Sequence, residues 1–225
     1  MNIQENLTEI NSNIERACRK KNRTTDDVKI IAVTKYVSVE TAQKAVSAGI
    51  RHIGENRPEG LMEKYKAIEG DVKWHFIGTL QSRKVKEVLP YVDYIHSLDR
   101  LSLAKEINKR ADRIIQCFVQ VNVSGEESKH GLPTHEVGAF IDRMKDYPNI
   151  RIVGLMTMAP FTENEDVLRS VFNQLKQLQK MIQQKNYEYA PCTELSMGMS
   201  NDYTIAVEEG ATFVRIGTSL VGKEF

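Results

Sequence analysis

The sequence alternates apolar, strand-like runs with amphipathic, helix-like segments along nearly its whole length. Eight strand-like runs occur, and each of them except the last is followed by a segment with helical periodicity. The runs occupy residues 29–36, 52–56, 72–78, 94–99, 115–123, 150–160, 194–200 and 212–220. Strands that alternate with helices imply a parallel sheet connected by right-handed crossovers.

Eight such units in 225 residues average about 28 residues each, which fits a compact (β/α)8 barrel of the TIM type. An open doubly wound sheet is the alternative. Sheets of that kind usually carry a glycine-rich phosphate-binding turn after the first strand, whereas the first run here ends in Thr34-Lys35-Tyr36. No linker or charge block divides the chain. We therefore expect a single domain over residues 1–225.

Two helices are predicted from apolar stripes with a spacing of three and four residues. An additional N-terminal helix is expected within residues 1–22, ahead of a barrel at residues 29–220. Its stripe is Ile3, Leu7, Ile10, Ile14 and Ala17. The long helix after the sixth strand is expected to bury Val167, Val171, Leu175, Leu178 and Ile182.

Charge and cysteine content exclude several functional classes. Lys and Arg number 31 against 30 Asp and Glu, so the net charge of +1 gives no electrostatic footprint for nucleic acid or an anionic membrane. No window approaches the roughly 20 apolar residues of a membrane helix, and the first residues do not resemble a signal peptide. Cys18, Cys117 and Cys192 have neither disulfide nor zinc-site spacing. We expect a cytoplasmic protein with free thiols.

Functional residues of such barrels lie at the carboxyl ends of the strands. Lys35 ends the first, apolar strand. A lysine in that position either extends its stem along the apolar surface to reach water, or acts as an amine of depressed pKa that forms a Schiff base with a carbonyl compound.

The last two strands end in small residues with many hydrogen-bond donors. Gly217 and Thr218 follow the eighth strand, where many barrels bind phosphate, and residues 196–200 follow the seventh. Closure of the barrel makes the first strand a neighbour of the eighth, which brings Lys35 and Arg215 to one mouth. A reactive amine, a cation and a phosphate site together indicate pyridoxal 5′-phosphate as the cofactor.

The sequence resembles the pyridoxal phosphate homeostasis proteins, which look like the barrel domain of alanine racemase without its second domain. The resemblance covers residues 31–218 and is most specific in the last two strands. The matching segments, in order, are AVTKY, IGENRPE, WHFIGTLQSRK, VNVSGEESKHGL, GLMTMAP and ELSMGMSNDYTIAVEEGATFVRIGT.

The resemblance implies a role for each matching position around the cofactor ring. Lys35 would hold pyridoxal phosphate as a Schiff base, and Asn56 would lie beside the hydroxyl edge of the ring. Arg215 would face the pyridine nitrogen. Met197 and Met199 would line the ring face.

The resemblance also implies a phosphate site and a second lysine. Ser196 or Ser200, with the backbone of Gly217 and Thr218, would bind the phosphate. Lys129 matches a family lysine that is linked to cofactor transfer.

The histidines give no metal-ligand spacing, so we expect no metal site. His75 is expected within the cofactor site, where it packs in the barrel or orders water near the ring. His96 lies on the next predicted strand.

Arg215 bears on whether the protein is an enzyme. A guanidinium only donates hydrogen bonds, so it would keep the pyridine nitrogen unprotonated and the ring a weak electron sink. The tyrosine base of alanine racemase belongs to its second domain, and this sequence ends at Phe225. We therefore expect a monomeric, non-enzymatic carrier of pyridoxal phosphate that delivers it to apo-enzymes. The alternatives are a weak amino-acid racemase and a Schiff-base aldolase without cofactor.

Overall fold

The computed structural model describes residues 1–225 and contains nine α-helices, four short 3₁₀ helices and nine strands. The helices are α1 Ile3–Lys20, α2 Val39–Ser47, α3 Pro58–Ala67, α4 Val85–Val88, α5 Leu101–Arg110, α6 Val137–Arg143, α7 Glu165–Gln183, α8 Tyr203–Glu208 and α9 Thr218–Val221. The strands are β1 Lys29–Val33, β2 His52–Glu55, β3 Lys73–Phe76, β4 Tyr94–Leu98, β5 Ile115–Asn122, β6 Leu132–Pro133, β7 Ile150–Met156, β8 Glu194–Ser196 and β9 Phe213–Ile216.

Eight of the strands close into a parallel barrel, as the sequence predicts. Their order is β4-β3-β2-β1-β9-β8-β7-β5, and pairing of β4 with β5 completes the ring. The first and last strands pair from Lys29 opposite Phe213 to Ala32 opposite Ile216. The one remaining strand, the two-residue β6, extends the sheet beside β5 and is not part of the barrel.

Aromatic rings fill the barrel interior. The rings of Phe118 on β5 and Phe213 on β9 lie 5.8 Å apart although their strands are not neighbours. Only side chains that point into the barrel can meet in this way, because successive residues of a strand alternate between its two faces. The alternate residues of β9, Val214 and Ile216, therefore face the helices and belong to the main apolar core.

Helix α1 packs on the outside of the barrel against the elements next to β9. All five residues of its predicted stripe are buried. Asn13 Nδ2 donates to the hydroxyl of Tyr203 on α8 at 2.8 Å, and Asn6 Nδ2 donates to the carbonyl of Leu220 on α9 at 3.0 Å. The helix thus supports the two elements that follow the last two barrel strands. None of the helices is long and apolar enough to cross a membrane.

The stripe predicted for α7 is displaced in part. Val171, Leu175 and Ile182 are buried as predicted, but Val167 is exposed and Leu168 is buried in its place. The helix begins at Glu165 after its cap Asn164, whose side chain accepts hydrogen bonds from two backbone N–H groups of the first turn. Leu178, the remaining residue of the predicted stripe, is only partly buried, so the buried face of the helix is turned slightly from the predicted one.

The last strand is shorter than predicted. It ends at Ile216 instead of Leu220, because the chain leaves the extended conformation at Gly217 and forms the one-turn helix α9. The change turns the backbone N–H groups at the start of α9 away from the sheet ladder.

Candidate cofactor site at the carboxyl ends of the strands

Lys35 is the second residue after β1, in the turn that leads to α2. Its side chain is half-buried and its amine makes no hydrogen bond or ion pair with the protein. The amine nitrogen Nζ lies 4.9 Å from the centre of the Tyr36 ring. An amine with no carboxylate partner at the mouth of the barrel is suited to covalent capture of a carbonyl group.

A buried ion pair holds the segment that presents Lys35. Lys64 Nζ on α3 donates to Glu55 Oε1 at 2.5 Å and to the carbonyl oxygen of Thr34 at 2.7 Å. The hydroxyl of Thr34 donates to the same carboxylate oxygen at 2.6 Å. Since Thr34 precedes Lys35, these contacts fix the backbone immediately before the candidate lysine.

Lys35 and Asn56 line a common cleft of about 730 Å3 between the β1–α2 and β2–α3 connections. The side chain of Asn56 has no hydrogen-bond partner in the protein, so its amide is available to a ligand. Phe225 also lines the cleft. Arg215 and Thr218 are not among its lining residues, so the cleft unites only part of the predicted site.

Arg215 is a buried cation without a carboxylate partner. It points into the barrel from β9, and the only hydrogen bonds of its side chain go to Ser196 Oγ at 2.6 Å and to the carbonyl of Thr157 at 3.1 Å. Burial lowers the pKa of Arg215 to about 10, and the carboxylate of Asp202 opposes this effect. The guanidinium therefore stays charged at neutral pH, and its remaining N–H groups donate to no acceptor in the protein.

A set of unused donors lies at the ends of the last two barrel strands. The backbone N–H groups of Gly217, Thr218 and Ser219 donate to no acceptor in the protein. Ser219 Oγ donates to Ser200 Oγ at 2.9 Å, which links the two loops. Backbone N–H groups with adjacent hydroxyls are suited to an anion such as phosphate.

Comparison with known proteins assigns the family. The family described as "Alanine racemase, N-terminal domain" matches residues 6–224. A pyridoxal phosphate homeostasis protein of Aquifex aeolicus is 40% identical over 227 residues, which cover 99% of each chain. The chain belongs to the pyridoxal phosphate homeostasis protein family.

Two solved structures have the same architecture as this family member. An unknown protein from Bifidobacterium adolescentis superposes with a TM-score of 0.91 at 32% identity, covering 97% of this chain and 94% of that one. PipY of Synechococcus elongatus, in a structure with pyridoxal phosphate bound, gives a TM-score of 0.82 at 32% identity and covers 93% and 100%.

Ser196 and Met197, two further predicted cofactor residues, are also buried in this family member. Ser196 is fully buried, and its hydroxyl is occupied by His96 and Arg215, so Ser200 is the better phosphate candidate of the two serines. Met197 lies in the core between barrel and helices, because its side chain points to the opposite face from that of Ser196. Met199, at the loop surface, is exposed.

Lys129 lies in the loop after β5, at the same end of the barrel. It forms an ion pair with Glu126 at 2.5 Å, and its amine donates to the carbonyl of Met158 at 3.4 Å. Unlike Lys35, it is therefore engaged by the protein itself.

His75 and His96 are fully buried inside the barrel of this family member, with His52 beside them at the start of β2. Burial holds the pKa of His75 and of His96 well below the usual value of 6.5; the neighbouring rings add to the effect at His75, and Arg215 adds to it at His96. Burial, with the charges of Lys29 and Lys73, lowers the pKa of His52 to about 4. All three imidazoles are neutral at pH 7.

These buried histidines predict a stability that falls with acid. In the unfolded chain they bind protons as the pH falls through about 6.5, whereas the folded barrel keeps His75 and His96 neutral. The unfolded state then binds more protons, so stability decreases as pH falls. We expect these two rings to cost roughly 2 kcal/mol of unfolding free energy between pH 6 and pH 5. Urea unfolding at both pH values measures the difference, and equal stabilities would contradict the neutral assignment.

The Glu55–Lys64 pair was not anticipated from the sequence, although a signal for it exists. Glu55 ends the strand-like run His52–Glu55 and is buried there, where a carboxylate requires a cation. Lys64, on the following helix, is the cation that meets it. The sequence does not indicate that Ser196 and Thr157 bind Arg215, since these residues meet only inside the closed barrel.

Proposed function

We propose that this protein binds pyridoxal 5′-phosphate as a Schiff base on Lys35 and serves in the homeostasis or carriage of the cofactor without catalytic turnover. The observation that carries the proposal is Arg215, a buried cation with no carboxylate partner. It lies on β9, which pairs with β1, and β1 ends just before Lys35, whose amine has no hydrogen-bond or ion-pair partner in the protein. The names of the relatives and the PipY structure with bound cofactor support it.

The donors at the mouth fit the chemistry of this cofactor. When bound, pyridoxal phosphate supplies an aldehyde for covalent capture, an aromatic nitrogen and a phosphate dianion. Lys35 would capture the aldehyde and Asn56 would donate to the ring hydroxyl edge. Arg215 would donate to the ring nitrogen, while Ser200 and the N–H groups of 217–219 would bind the phosphate.

The charge of Arg215 argues against turnover. With its pKa lowered only to about 10, the guanidinium stays protonated at neutral pH and offers N–H donors alone. It would therefore keep the ring nitrogen unprotonated, and the ring would withdraw electrons weakly from a bound amino acid.

Exchange of the α-proton of amino acids in deuterated buffer tests the absence of turnover. We expect the cofactor-loaded protein to exchange far below about 1 per second, the lower end of ordinary enzyme turnover. Exchange at or above that rate would replace the carrier assignment by the alternative, a racemase-like enzyme.

Delivery of the cofactor would use the lysine in the loop after β5. Lys129 would receive or release the cofactor during transfer to apo-enzymes; for this its ion pair with Glu126 would have to open. We propose that the protein acts as a monomer in the cytoplasm, where its three buried cysteines would remain reduced.

Substitution of Thr218 tests the phosphate site. Thr218→Glu places a carboxylate beside the unused N–H groups, so binding of pyridoxal phosphate is expected to weaken strongly. Charge-assisted hydrogen bonds contribute about 1.5–3 kcal/mol each, and loss of one or two of them corresponds to tenfold or greater weakening. Unphosphorylated pyridoxal should lose little. Titrations monitored by absorbance give both affinities.

Thr193→Glu is the matched control, since Thr193 is exposed just before β8, at the opposite end of the barrel. It should leave both affinities unchanged. An equal loss for pyridoxal and pyridoxal phosphate in Thr218→Glu would place the phosphate elsewhere.

A further inference from the structure

A continuous chain of hydrogen bonds crosses the interior of the barrel. It connects β2, β3, β4, β8 and β9, and it joins His52 at the amino-terminal end to Arg215 below the mouth. The links are His52 Nδ1 to His75 Nε2 at 2.8 Å, His75 Nδ1 to His96 Nε2 at 2.8 Å, His96 Nδ1 to Ser196 Oγ at 2.9 Å and Arg215 Nη1 to Ser196 Oγ at 2.6 Å.

The guanidinium of Arg215 determines the direction of the hydrogen-bond chain, that is, which group donates and which accepts at each link. Arg215 can only donate, so Ser196 Oγ accepts from it. The serine hydroxyl hydrogen then has one acceptor within reach, Nδ1 of His96. A neutral imidazole that accepts at Nδ1 carries its proton on Nε2, so His96 donates to His75, and by the same rule His75 donates to His52.

The opposite direction leaves a buried donor without a partner. If His96 donated from Nδ1, Ser196 Oγ would accept from both His96 and Arg215, and its hydroxyl hydrogen would face no acceptor in the fully buried site. An unsatisfied buried donor carries a desolvation penalty, which disfavours this arrangement. The neutral state of all three rings agrees with the first direction.

We propose that His52, His75, His96 and Ser196 are positioning residues that form one polarised chain, with every imidazole protonated at Nε2, and that this chain holds Arg215 in the orientation in which its remaining N–H donors serve the mouth. The inference rests on the proposed function only in naming pyridoxal phosphate as the ligand that Arg215 would meet at the mouth. The direction of the chain is a property of the protein alone.

Each group of the hydrogen-bond chain fixes the orientation of the next. His96 fixes the rotation of the Ser196 hydroxyl, and that hydroxyl fixes one nitrogen of the guanidinium while the Thr157 carbonyl fixes the other. Removal of the cation removes the only group that cannot reverse its role. The three rings would then have no preferred direction, although their packing against the neighbouring aromatic rings is unchanged.

The tautomers can be read directly in the protein without cofactor. Long-range ¹H–¹⁵N correlation spectra of histidine-labelled protein at pH 7 distinguish protonation at Nε2 from protonation at Nδ1, and the exposed His130 and His135 supply reference signals from rings in water. We expect Nε2–H in all three buried rings. A dominant Nδ1–H form at any of them would overturn the proposal.

Arg215→Met tests the origin of the direction. It replaces the cation by an apolar side chain of similar length, and the Nδ1–H form of His96 is expected to rise from undetectable to a share comparable with Nε2–H. Retention of the single wild-type tautomer would show that Arg215 does not set the direction. Should this variant fail to fold, Arg215→Gln also removes the cation, and its amide oxygen can accept the Ser196 hydroxyl hydrogen, so the same rise of the Nδ1–H form of His96 is expected.

Ser97→Ala is the matched control. Ser97 neighbours His96 on β4, is buried, and its hydroxyl has no hydrogen-bond partner. Its removal should leave all three tautomers unchanged, and a change as large as that in Arg215→Met would overturn the proposal. Failure to bind pyridoxal phosphate with the predicted tautomers present would count against the proposed function alone.

Discussion

Lys64→Met is expected to lower the free energy of unfolding by about 3–5 kcal/mol, since breaking a buried ion pair leaves an uncompensated charge. The side chains of Glu55 and Lys64 are only 3% and 6% exposed. Without the ammonium group, the Glu55 carboxylate would keep a single donor, the hydroxyl of Thr34, in the protein interior. Urea unfolding followed by circular dichroism measures the loss.

Two further variants isolate the cause. The double variant Glu55→Leu/Lys64→Met removes both charges and should recover most of the stability, because buried pairs are often replaceable by apolar residues of similar volume. Lys44→Met breaks the exposed pair with Glu40 and should cost far less, because solvent screens the attraction between exposed charges. A Lys64→Met protein as stable as Lys44→Met would contradict the importance assigned to the buried pair.

Lys35→Ala is expected to weaken binding of pyridoxal phosphate by about 100-fold or more, which corresponds to about 2.8 kcal/mol. The substitution removes the amine that would form the covalent link and leaves the phosphate donors in place. Pyridoxine 5′-phosphate, which has the same phosphate but no aldehyde, should bind almost equally to wild type and variant. Equilibrium titration of both ligands gives the comparison.

Lys223→Ala is the control for charge at this surface. The amine of Lys223 lies 5.2 Å from the centre of the Tyr36 ring, and the amine of Lys35 lies 4.9 Å from it. Both cations therefore lie beside the same ring. The control variant should retain the affinity of the wild type. Equal weakening by the two substitutions would reduce the role of Lys35 to electrostatic attraction.

The fold could be predicted because it depends on local patterns. Alternating strand-like and helix-like segments determine the barrel class, and the stripe of α1 is buried as its spacing predicts. Boundaries were less predictable. The apolar run 212–220 reads as one strand, yet Gly217 ends β9 and starts α9, a change that depends on the backbone conformation of one residue.

The site was predictable only as far as strand order determines it. Adjacent first and last strands bring the segments before Lys35 and after Arg215 together, and this follows from closure of the barrel. The contact of His96 with Ser196 depends instead on how far each strand is shifted along its neighbours, which a single sequence does not encode locally. For the same reason the sequence does not predict that the Ser196 hydroxyl is engaged by His96 and Arg215.

Reductive trapping identifies the amine that holds pyridoxal phosphate. The wild-type protein is loaded with pyridoxal phosphate, treated with borohydride to make any link between amine and aldehyde permanent, and digested for peptide mass mapping. We expect a pyridoxyl phosphate group on Lys35 in a single peptide, and no such group in Lys35→Ala. A label on Lys129 or Lys223 in place of Lys35, or no label at saturating cofactor, would contradict it.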